Sequence, residues 1–93
     1  MENITNKILF TPLKLKNGVI IKNRFLKSAM SEGMANSKTN SPNELHVNLY
    51  RKWANGGTGL LITGNVMIDR NALGEPGNVV IEDERDMEIL KKW

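Results

Sequence analysis

The amino-acid sequence predicts an α/β fold in which a β-hairpin precedes the alternating strands and helices of a parallel sheet. Three observations support this prediction. Asn17-Gly18 separates two short apolar segments, residues 45–54 show helical apolar spacing, and the nearly continuous apolar run Gly59–Thr63 follows. A strand, a loop, a helix and a second strand in this order are typical of a β-α-β unit.

The hairpin is predicted from the segments on either side of Asn17-Gly18. Leu13–Lys16 alternates apolar and polar residues, and Val19–Lys22 is the second arm. Because Asn-Gly suits the two positive φ angles of a type I′ turn, we expect that turn type. Arg24–Met30 is then predicted to be a strand, and the polar stretch Ser31–Asn40 a loop.

The first long helix is predicted to start at Ser41. Serine is a good cap, Pro42 suits the first helical position, and Glu44 can reach back to the cap. The predicted apolar stripe comprises Leu45, Leu49, Tyr50, Trp53 and Ala54. We expect Gly56-Gly57 to end the helix, because glycine tolerates the left-handed conformation that is common there.

The remaining segments continue the alternation of predicted strands and helices. Gly59–Thr63 suits a strand that is buried on both faces, and Val79–Ile81 is a candidate short strand. A second helix is predicted from Asp83, and its inner face would carry Met87, Leu90 and Trp93. With only about two parallel strands, the edges and the apolar hairpin face would stay open. We therefore expect a truncated barrel or sheet that needs a continuation or a partner.

Composition excludes several classes of site. The 93 residues contain no cysteine, which excludes disulfides and thiolate chemistry. The single histidine, His46, has no further ligand at metal spacing, so we expect no metal site and a surface or partly buried helix histidine. No apolar stretch approaches the ~20 residues that span a bilayer. Because the first seven residues also lack a signal-peptide pattern, we expect a cytoplasmic protein without a membrane partner.

The net charge of +3 is unevenly distributed. Basic residues dominate the first thirty positions, and acidic residues cluster between Glu82 and Glu88. Basic clustering suits a nucleic acid, a flavin phosphate or a solvated hairpin face. Because the basic residues form no run and have no interleaved aromatic residues, we expect no nucleic-acid partner.

The glycines around the end of the first long helix do not form a dinucleotide-binding loop. In a Rossmann unit the glycine-rich loop follows the first strand and opens the helix. Here Gly56-Gly57-Thr58-Gly59 closes a helix and precedes a strand, so the order is reversed.

Two predicted strand ends are candidate ligand sites, because parallel α/β folds bind ligands at the carboxyl ends of their strands. These ends are Ser28–Ser31 and Thr63–Asn65. Both place small or polar residues directly after an apolar run, which lets short side chains and backbone amides approach a ligand. An ordinary turn from strand to loop would give the same pattern. Glu32 is one further carboxylate in the loop after the first strand.

Several motifs, taken in order, resemble the Old Yellow Enzyme family of flavin oxidoreductases. They are Leu9–Leu13, Lys22–Phe25, Ser28–Met30, Trp53–Val66, Gly74–Asn78 and Ile81. The resemblance implies a TIM (β/α)₈ barrel with FMN at its C-terminal mouth. Residues 1–93 would be the N-terminal portion of this single domain, with the hairpin and the first two β/α units. It also implies hydride transfer from NADH or NADPH through the flavin to the activated C=C of an α,β-unsaturated carbonyl compound.

The same resemblance assigns cofactor-binding residues. It implies that Ser28, Ala29, Met30 and Ser31 line the flavin and that Asn65 contacts it from the second strand. Ser31 is expected to hydrogen-bond the flavin and to shift its redox potential. No catalytic residue is assigned, because the family's substrate-binding histidines, proton-donating tyrosine and phosphate site would lie further along a full-length chain.

Three positions depart from the family's pattern. Ala29 stands where many relatives have proline, Ser31 where relatives have threonine or cysteine, and Gly33 where some bacterial relatives have an active-site tyrosine. Flavin tuning at Ser31 and substrate contact at Gly33 are therefore expected to differ. The Asn23-Arg24 pair is expected to fix the hairpin and the entry to the strand.

The first hypothesis is thus a segment of an FMN-dependent ene-reductase or NADH:flavin oxidoreductase that is inactive on its own. An alternative from another class is a non-catalytic fragment or interaction module that forms a homo-oligomer through its open edges. Nucleic-acid binding through the basic hairpin is the third, and a salt-dependent interaction with arbitrary DNA would support it.

Overall fold

The computed structural model describes residues 4–93, and Met1–Asn3, part of the segment considered as a signal peptide, lie outside this range. The elements in chain order are α1 (Ile4–Leu9), β1 (Leu13–Lys14), β2 (Ile20–Ile21), β3 (Leu26–Lys27), α2 (Glu44–Asn55), β4 (Leu60–Leu61), β5 (Val66–Met67), β6 (Val79–Val80) and α3 (Met87–Lys92). The described strands form three two-stranded sheets, antiparallel for β1–β2 and parallel for β3–β4 and β5–β6. The α/β class is confirmed, and residues 4–93 contain no closed barrel.

The predicted hairpin is present, but its predicted turn type is wrong. Leu15 N donates to Val19 O at 2.8 Å, and Gly18 N donates to Leu15 O at 3.0 Å, so the loop has three residues. Only Gly18 in this loop has a positive φ, of 90°. Such a loop is a turn followed by a glycine bulge. Asn17 instead accepts a hydrogen bond from Val19 N at 3.1 Å through its side-chain oxygen, which stabilises the turn without a positive φ.

The β-α-β unit is confirmed by the parallel pairing of β3 and β4 across α2. Leu26 lies opposite Leu60, and the ladder continues where Ile62 N donates to Lys27 O at 3.1 Å. On the face towards α2, the Lys27 ammonium lies 4.5 Å from the centre of the Trp53 ring. The regular strands are shorter than the predicted segments, because each has only one neighbour.

The other face of this sheet is exposed, so the prediction that Gly59–Thr63 is buried on both faces is wrong for the described chain. Leu26 is 56% exposed, and Leu60 and Ile62 are each 43% exposed. A strand becomes a buried central strand only when both of its faces are covered, and here α2 covers one.

The first residues of α2 differ from the prediction, because the cap is Asn43 and not Ser41. Asn43 Oδ1 accepts a hydrogen bond from Leu45 N at 2.9 Å, and His46 Nδ1 accepts one from Asn43 N at 3.2 Å. These reciprocal bonds form a capping box in which a histidine takes the usual place of a glutamate. Asn43 Nδ2 also donates to Met34 O at 2.8 Å, which ties the cap to the preceding loop and favours this start.

The buried face of α2 is rotated from the predicted stripe. The buried residues of the helix are His46, Val47 and Tyr50, whereas Leu45 is 58% exposed. Gly56 and Gly57 end the helix as predicted, and Gly57 has the expected positive φ, of 101°. The surface against which α2 packs, and not the periodicity alone, therefore decides which residues are buried.

The C-terminal part of the described chain adds β5, β6 and α3. Val79 and Val80 are almost fully buried, whereas strand β5 had no counterpart in the sequence-based prediction. Helix α3 begins at Met87 and not at Asp83, because Asp83 pairs with Arg85 at 2.6 Å in a preceding turn. The predicted inner-face position of Met87 is wrong, since this side chain is 41% exposed.

Trp93, on the predicted inner face, does pack inwards. Its ring centre lies 5.0 Å from that of His46 and 5.5 Å from that of Tyr50. Leu90 and Trp93 line one wall of an apolar cavity of about 550 Å³ between α2, α3 and the strand ends. The radius of gyration of 16.3 Å exceeds the ~12 Å of a compact domain of this length. None of the helices within residues 4–93 has both the length and the apolar character needed to cross a membrane.

Candidate functional site

The predicted strand ends lie side by side. Ser31 Oγ donates a hydrogen bond to Glu75 Oε1 at 2.7 Å, and Asn65 Nδ2 donates to the same oxygen at 3.1 Å. Ser31 follows β3 and Asn65 follows β4, and the carboxyl ends of parallel strands meet at one edge. Ser31, Asn65 and Glu75 are called the rim cluster below. All three residues are exposed.

The other predicted residues extend along the same edge. Ser28, Ala29 and Met30 connect β3 to Ser31, and all three are exposed. The Met30 side chain is 56% exposed, so it offers an apolar surface beside the polar rim cluster. The structure thus brings Ser31 and Asn65 together and leaves Ser28–Met30 open to solvent.

A second carboxylate lies next to the rim cluster in a more enclosed position. Tyr50 Oη donates to Glu32 Oε2, and Gly64 N donates to the same oxygen at 3.0 Å. Gly64 N also lies 3.1 Å from Tyr50 Oη. Glu32, Tyr50 and Gly64 are called the Glu32 node below. The node joins the loop after β3, the middle of α2 and the end of β4.

Close packing at the Glu32 node requires a glycine at position 64. A Cβ atom built there would overlap with Met30 O and would lie 2.5 Å from Glu32 Oε1. One of these obstacles is backbone, so the clash could not be relieved by a change of side-chain rotamer alone.

Burial raises the pKa of the Tyr50 hydroxyl well above its ordinary value, and the hydrogen bond to Glu32 and the charge of Glu32 act in the same direction. The Gly64 N–H opposes this rise. Tyr50 therefore remains a protonated donor near neutral pH. The sequence had indicated only a packing role for Tyr50, and its partners lie 18 and 14 residues away in sequence.

Glu75 had not been identified as a site residue from the sequence. It lies in the Gly74–Gly77 turn, which packs against the loop after β3. Ala35 N donates to Gly77 O at 3.1 Å, and a Cβ on Gly77 would lie 2.7 Å from Gly33 O. The only sequence signal was a lone carboxylate within a glycine- and proline-rich turn.

His46 is fully buried, and not a surface or partly buried residue as expected. Burial lowers its pKa, and the charge of Glu32 opposes this effect. Its Nδ1 accepts the backbone hydrogen bond of the capping box, so the ring is neutral with its proton on Nε2. The histidine therefore serves the start of α2.

The expected role of Asn23-Arg24 is confirmed. Asn23 is buried, its Nδ2 donates to Gly57 O at 2.5 Å, and its Oδ1 accepts from Phe25 N at 3.0 Å. Arg24 Nη2 donates to Pro12 O at 3.1 Å. These bonds fix the hairpin and the entry to β3, some distance along the strand from the rim cluster.

The chemistry of the exposed edge fits a flat heteroaromatic ring with a polar border. Met30 offers an apolar surface, and the rim cluster offers a hydroxyl, an amide and a carboxylate. None of the five predicted residues, Ser28, Ala29, Met30, Ser31 and Asn65, is a cation. They therefore suit the ring of a flavin and not its phosphate. Within residues 4–93, no three His, Cys, Asp or Glu side chains are grouped so as to hold a metal ion.

Comparison with known proteins gives consistent matches. The profile of the NADH:flavin oxidoreductase / NADH oxidase family matches residues 8–93. The NADH-dependent flavin oxidoreductase iliE of Neonectria sp. (strain DH2) is 37% identical over 83 residues, which cover 88% of this chain and 11% of that protein. The protein of the same name from Hypocrea jecorina (strain QM6a) is 35% identical over 83 residues, which cover 88% of this chain and 20% of that protein.

A relative with a different name also matches. Cinnamate reductase of Clostridium sporogenes is 35% identical over 65 residues, which cover 70% of this chain and 10% of that protein. The chain thus spans about a tenth to a fifth of the length of these relatives.

Proposed function

Because this chain belongs to the NADH:flavin oxidoreductase / NADH oxidase family, we propose that it supplies one part of an FMN site in a (β/α)₈-barrel oxidoreductase. Residues 1–93 would be the N-terminal portion of a single barrel domain, with β3 and β4 as its first two strands. The observation that carries this proposal is the meeting of Ser31 and Asn65 on one oxygen of Glu75. Two strand ends from either side of α2 thereby form one edge.

Each predicted residue has a physical role at this edge. Ser28, Ala29 and Met30 are small or apolar, and their exposed positions let a flat ring lie against the strand end. Ser31 and Asn65 would hydrogen-bond the polar border of the ring. Cations for the FMN phosphate would come from another part of the protein, since these five residues include none.

The chemistry supplied by bound FMN would be hydride transfer from NADH or NADPH to the β-carbon of an α,β-unsaturated carbonyl compound. The names of two relatives support NADH, and cinnamate, in the name of another, is itself an α,β-unsaturated acid. The part of this chain is to bind and orient the ring through Ser28–Ser31 and Asn65. The Glu32 node would hold the two strand ends at a fixed separation. We place the protein in the cytoplasm, with a small enone-type substrate and without a nucleic-acid or membrane partner.

Flavin content tests this proposal directly. The complete gene product, purified without added cofactor, should be yellow and should release about one FMN per chain on heat denaturation, identified against FAD by chromatography. A colourless protein that also fails to take up added FMN would refute the proposal. NADH oxidation with and without cinnamaldehyde or 2-cyclohexenone then tests the reaction and the enone class, and a parallel series with NADPH tests the reductant.

A second candidate function rests on a separate observation. The exposed side chains of Leu26, Leu60 and Ile62 form an apolar sheet face in the described chain. An interaction module would bury this face against a second copy of the chain. Size-exclusion chromatography with light scattering on the 93-residue chain distinguishes the two. A compact, cooperatively melting homo-oligomer supports the module, whereas a loosely folded chain that retains no FMN supports the flavoprotein segment.

A further inference from the structure

His46 is a fully buried histidine whose ring contacts the cap residue of α2. Its Nδ1 accepts a hydrogen bond from Asn43 N at 3.2 Å. Its Nε2 is also buried, and within residues 4–93 this nitrogen has no hydrogen-bond partner. The ring can hold the cap only while Nδ1 keeps a free lone pair, which requires the neutral form of the imidazole.

The cap residue of α2 also holds the loop that precedes the helix. Asn43 Nδ2 donates to Met34 O at 2.8 Å, and Asn43 Oδ1 accepts from Leu45 N at 2.9 Å. One side chain therefore connects the first turn of the helix with residues 31–40, which follow β3 and include part of the candidate site. A displacement of Asn43 should for this reason reach the loop.

Protonation of the His46 ring is incompatible with this arrangement. In the imidazolium form both ring nitrogens carry a proton, so Nδ1 would face the Asn43 N–H with a second donor. The charge would also lie in a buried position, and burial of an unpaired charge is costly. Opening of the cap would expose the ring to water and relieve both effects.

The groups around the ring act on its charge in opposite directions. Burial lowers the pKa of His46 below its ordinary value of 6.5, and the carboxylate of Glu32, in the loop after β3, opposes this effect. The ring of Trp93, whose centre lies 5.0 Å from that of His46, would also favour a cation. Tyr50, on α2 itself, donates its hydroxyl proton to Glu32. Because burial has the largest effect, the ring is neutral at pH 7 and is protonated only in acid.

We propose that His46 is an acid-sensitive switch: protonation of its ring releases Asn43, opens the cap of α2 and frees residues 31–40 from the helix. This inference goes beyond the proposed function, because the switch needs no flavin. Its consequence for the candidate site is that Ser31 and Glu32, at the start of this loop, are held less firmly once the cap is open.

Hydrogen–deuterium exchange with peptide-level mass spectrometry tests the switch in the complete protein. Protection factors, which correct for the intrinsic pH dependence of exchange, are compared between about pH 7.5 and about pH 5. In the parent protein, protection of residues 31–46 should fall by up to about tenfold per pH unit below 6.5, the change that one bound proton gives. Residues 51–55, at the other end of α2, should keep their protection.

Two substitutions separate the titration of His46 from other effects of acid. His46→Gln keeps an acceptor for Asn43 N and does not titrate, so its protection of residues 31–46 should not depend on pH in this range. Glu44→Gln removes an exposed carboxylate from the first turn of the same helix and should retain the acid response of the parent. The inference is overturned if His46→Gln loses protection in acid as the parent does, or if the loss in the parent is uniform along the chain.

A third variant tests the connection to the loop without acid. Asn43→Ala removes the side chain that bonds Met34 O and Leu45 N, so it should lower the protection of residues 31–40 already at about pH 7.5. Unchanged protection of this loop in Asn43→Ala would also overturn the inference, because the cap would then not hold the loop. None of these outcomes depends on whether the protein binds FMN, so the proposed function is tested separately.

Discussion

Two carboxylates, those of Glu32 and Glu75, contact the ends of the same two strands in different ways. Glu32 is half-buried and binds Tyr50 and a backbone N–H, whereas Glu75 is exposed and binds two polar side chains. The partners of Glu32 belong to the scaffold, and those of Glu75 face the open edge. The difference indicates that the Glu32 node maintains the fold, whereas the rim cluster is the part of this edge that would bind the proposed flavin. Substitutions at the two places should therefore separate stability from cofactor affinity.

The largest effect on stability is expected for Gly64→Ala. The new methyl group would overlap with Met30 O and the Glu32 carboxylate, and overpacking against backbone should lower the free energy of unfolding by about 3 kcal/mol. Urea unfolding of the complete protein measures this. Gly56→Ala is the matched control, because Gly56 has a helical φ of −74°, and it should change stability by at most about 1 kcal/mol. Equal effects of the two variants would contradict the tight packing at the Glu32 node.

Tyr50→Phe should have the next largest effect. It removes the donor to Glu32 and leaves that carboxylate with one partner fewer, which should cost about 2 kcal/mol of unfolding free energy. Glu44→Gln, which removes only an exposed ion pair with Lys92, should cost less than about 0.5 kcal/mol. If the two variants unfold at the same urea concentration, the Glu32 node does not hold the strand ends.

The pKa of Tyr50 gives an independent measurement. The difference in phenolate absorbance between the complete protein and its Tyr50→Phe variant reports Tyr50 alone. Burial raises this pKa above its ordinary value of 10.0, and the resulting stability is fully present below pH 10 and is lost as the pH rises above it. At pH 10 little of the Tyr50 phenolate should be present in the folded protein, whereas about half of the Tyr50 side chains should be ionised in the urea-unfolded protein. Identical titrations would mean that Tyr50 is solvated.

A smaller, pH-dependent effect is expected at His46. Burial lowers the pKa of His46 below its ordinary value of 6.5, so the neutral ring is favoured in the folded state. Stability should be complete above pH 6.5 and should decline as the pH falls below it. His46→Gln keeps an acceptor for the capping box, costs about 1 kcal/mol, and should remove this part of the pH dependence. If the variant loses stability below pH 6.5 to the same extent as the parent, His46 is not the source of that loss.

The smallest stability change is expected for Glu75→Ala. All three residues of the rim cluster are exposed, so water can replace the lost hydrogen bonds, and the change should stay within about 0.5 kcal/mol. This is the sharpest contrast with Glu32, because the affinity for the proposed flavin should still change when the rim cluster loses Glu75. Loss of stability comparable to that of Tyr50→Phe would show that both carboxylates serve the fold.

Local signals in the sequence predicted the order of the main elements. The turn type and the helix cap depend on partners that are distant in sequence, so these were not predicted correctly. Asn17-Gly18 indicated a hairpin, but either of two turn types fits this pair, and only the register selects one. Ser41 and Asn43 are both good caps, and the bond from Asn43 to Met34 O decides between them. Strand β5 has only two residues and no periodicity that could be recognised.

For the candidate site, the sequence predicted the two strand ends but not what joins them. Ser31 and Asn65 were assigned by resemblance, and their proximity follows from parallel pairing. Glu75 lies 44 residues from Ser31, so no spacing rule could connect the two. Glu32 was visible only as an isolated loop carboxylate, because its partners come from a helix and from a backbone amide.

The contact between Gly33 and Gly77 has a consequence for protein engineering. A side chain at position 77 would overlap with the backbone of Gly33. Between the same two segments of the chain, Val80 N donates a hydrogen bond to Asn40 O at 2.9 Å. The two loops are therefore complementary halves of one surface. Chimaeras that exchange only one of them with a relative should misfit, whereas grafting residues 31–40 and 73–81 together would carry the interlocking shape intact.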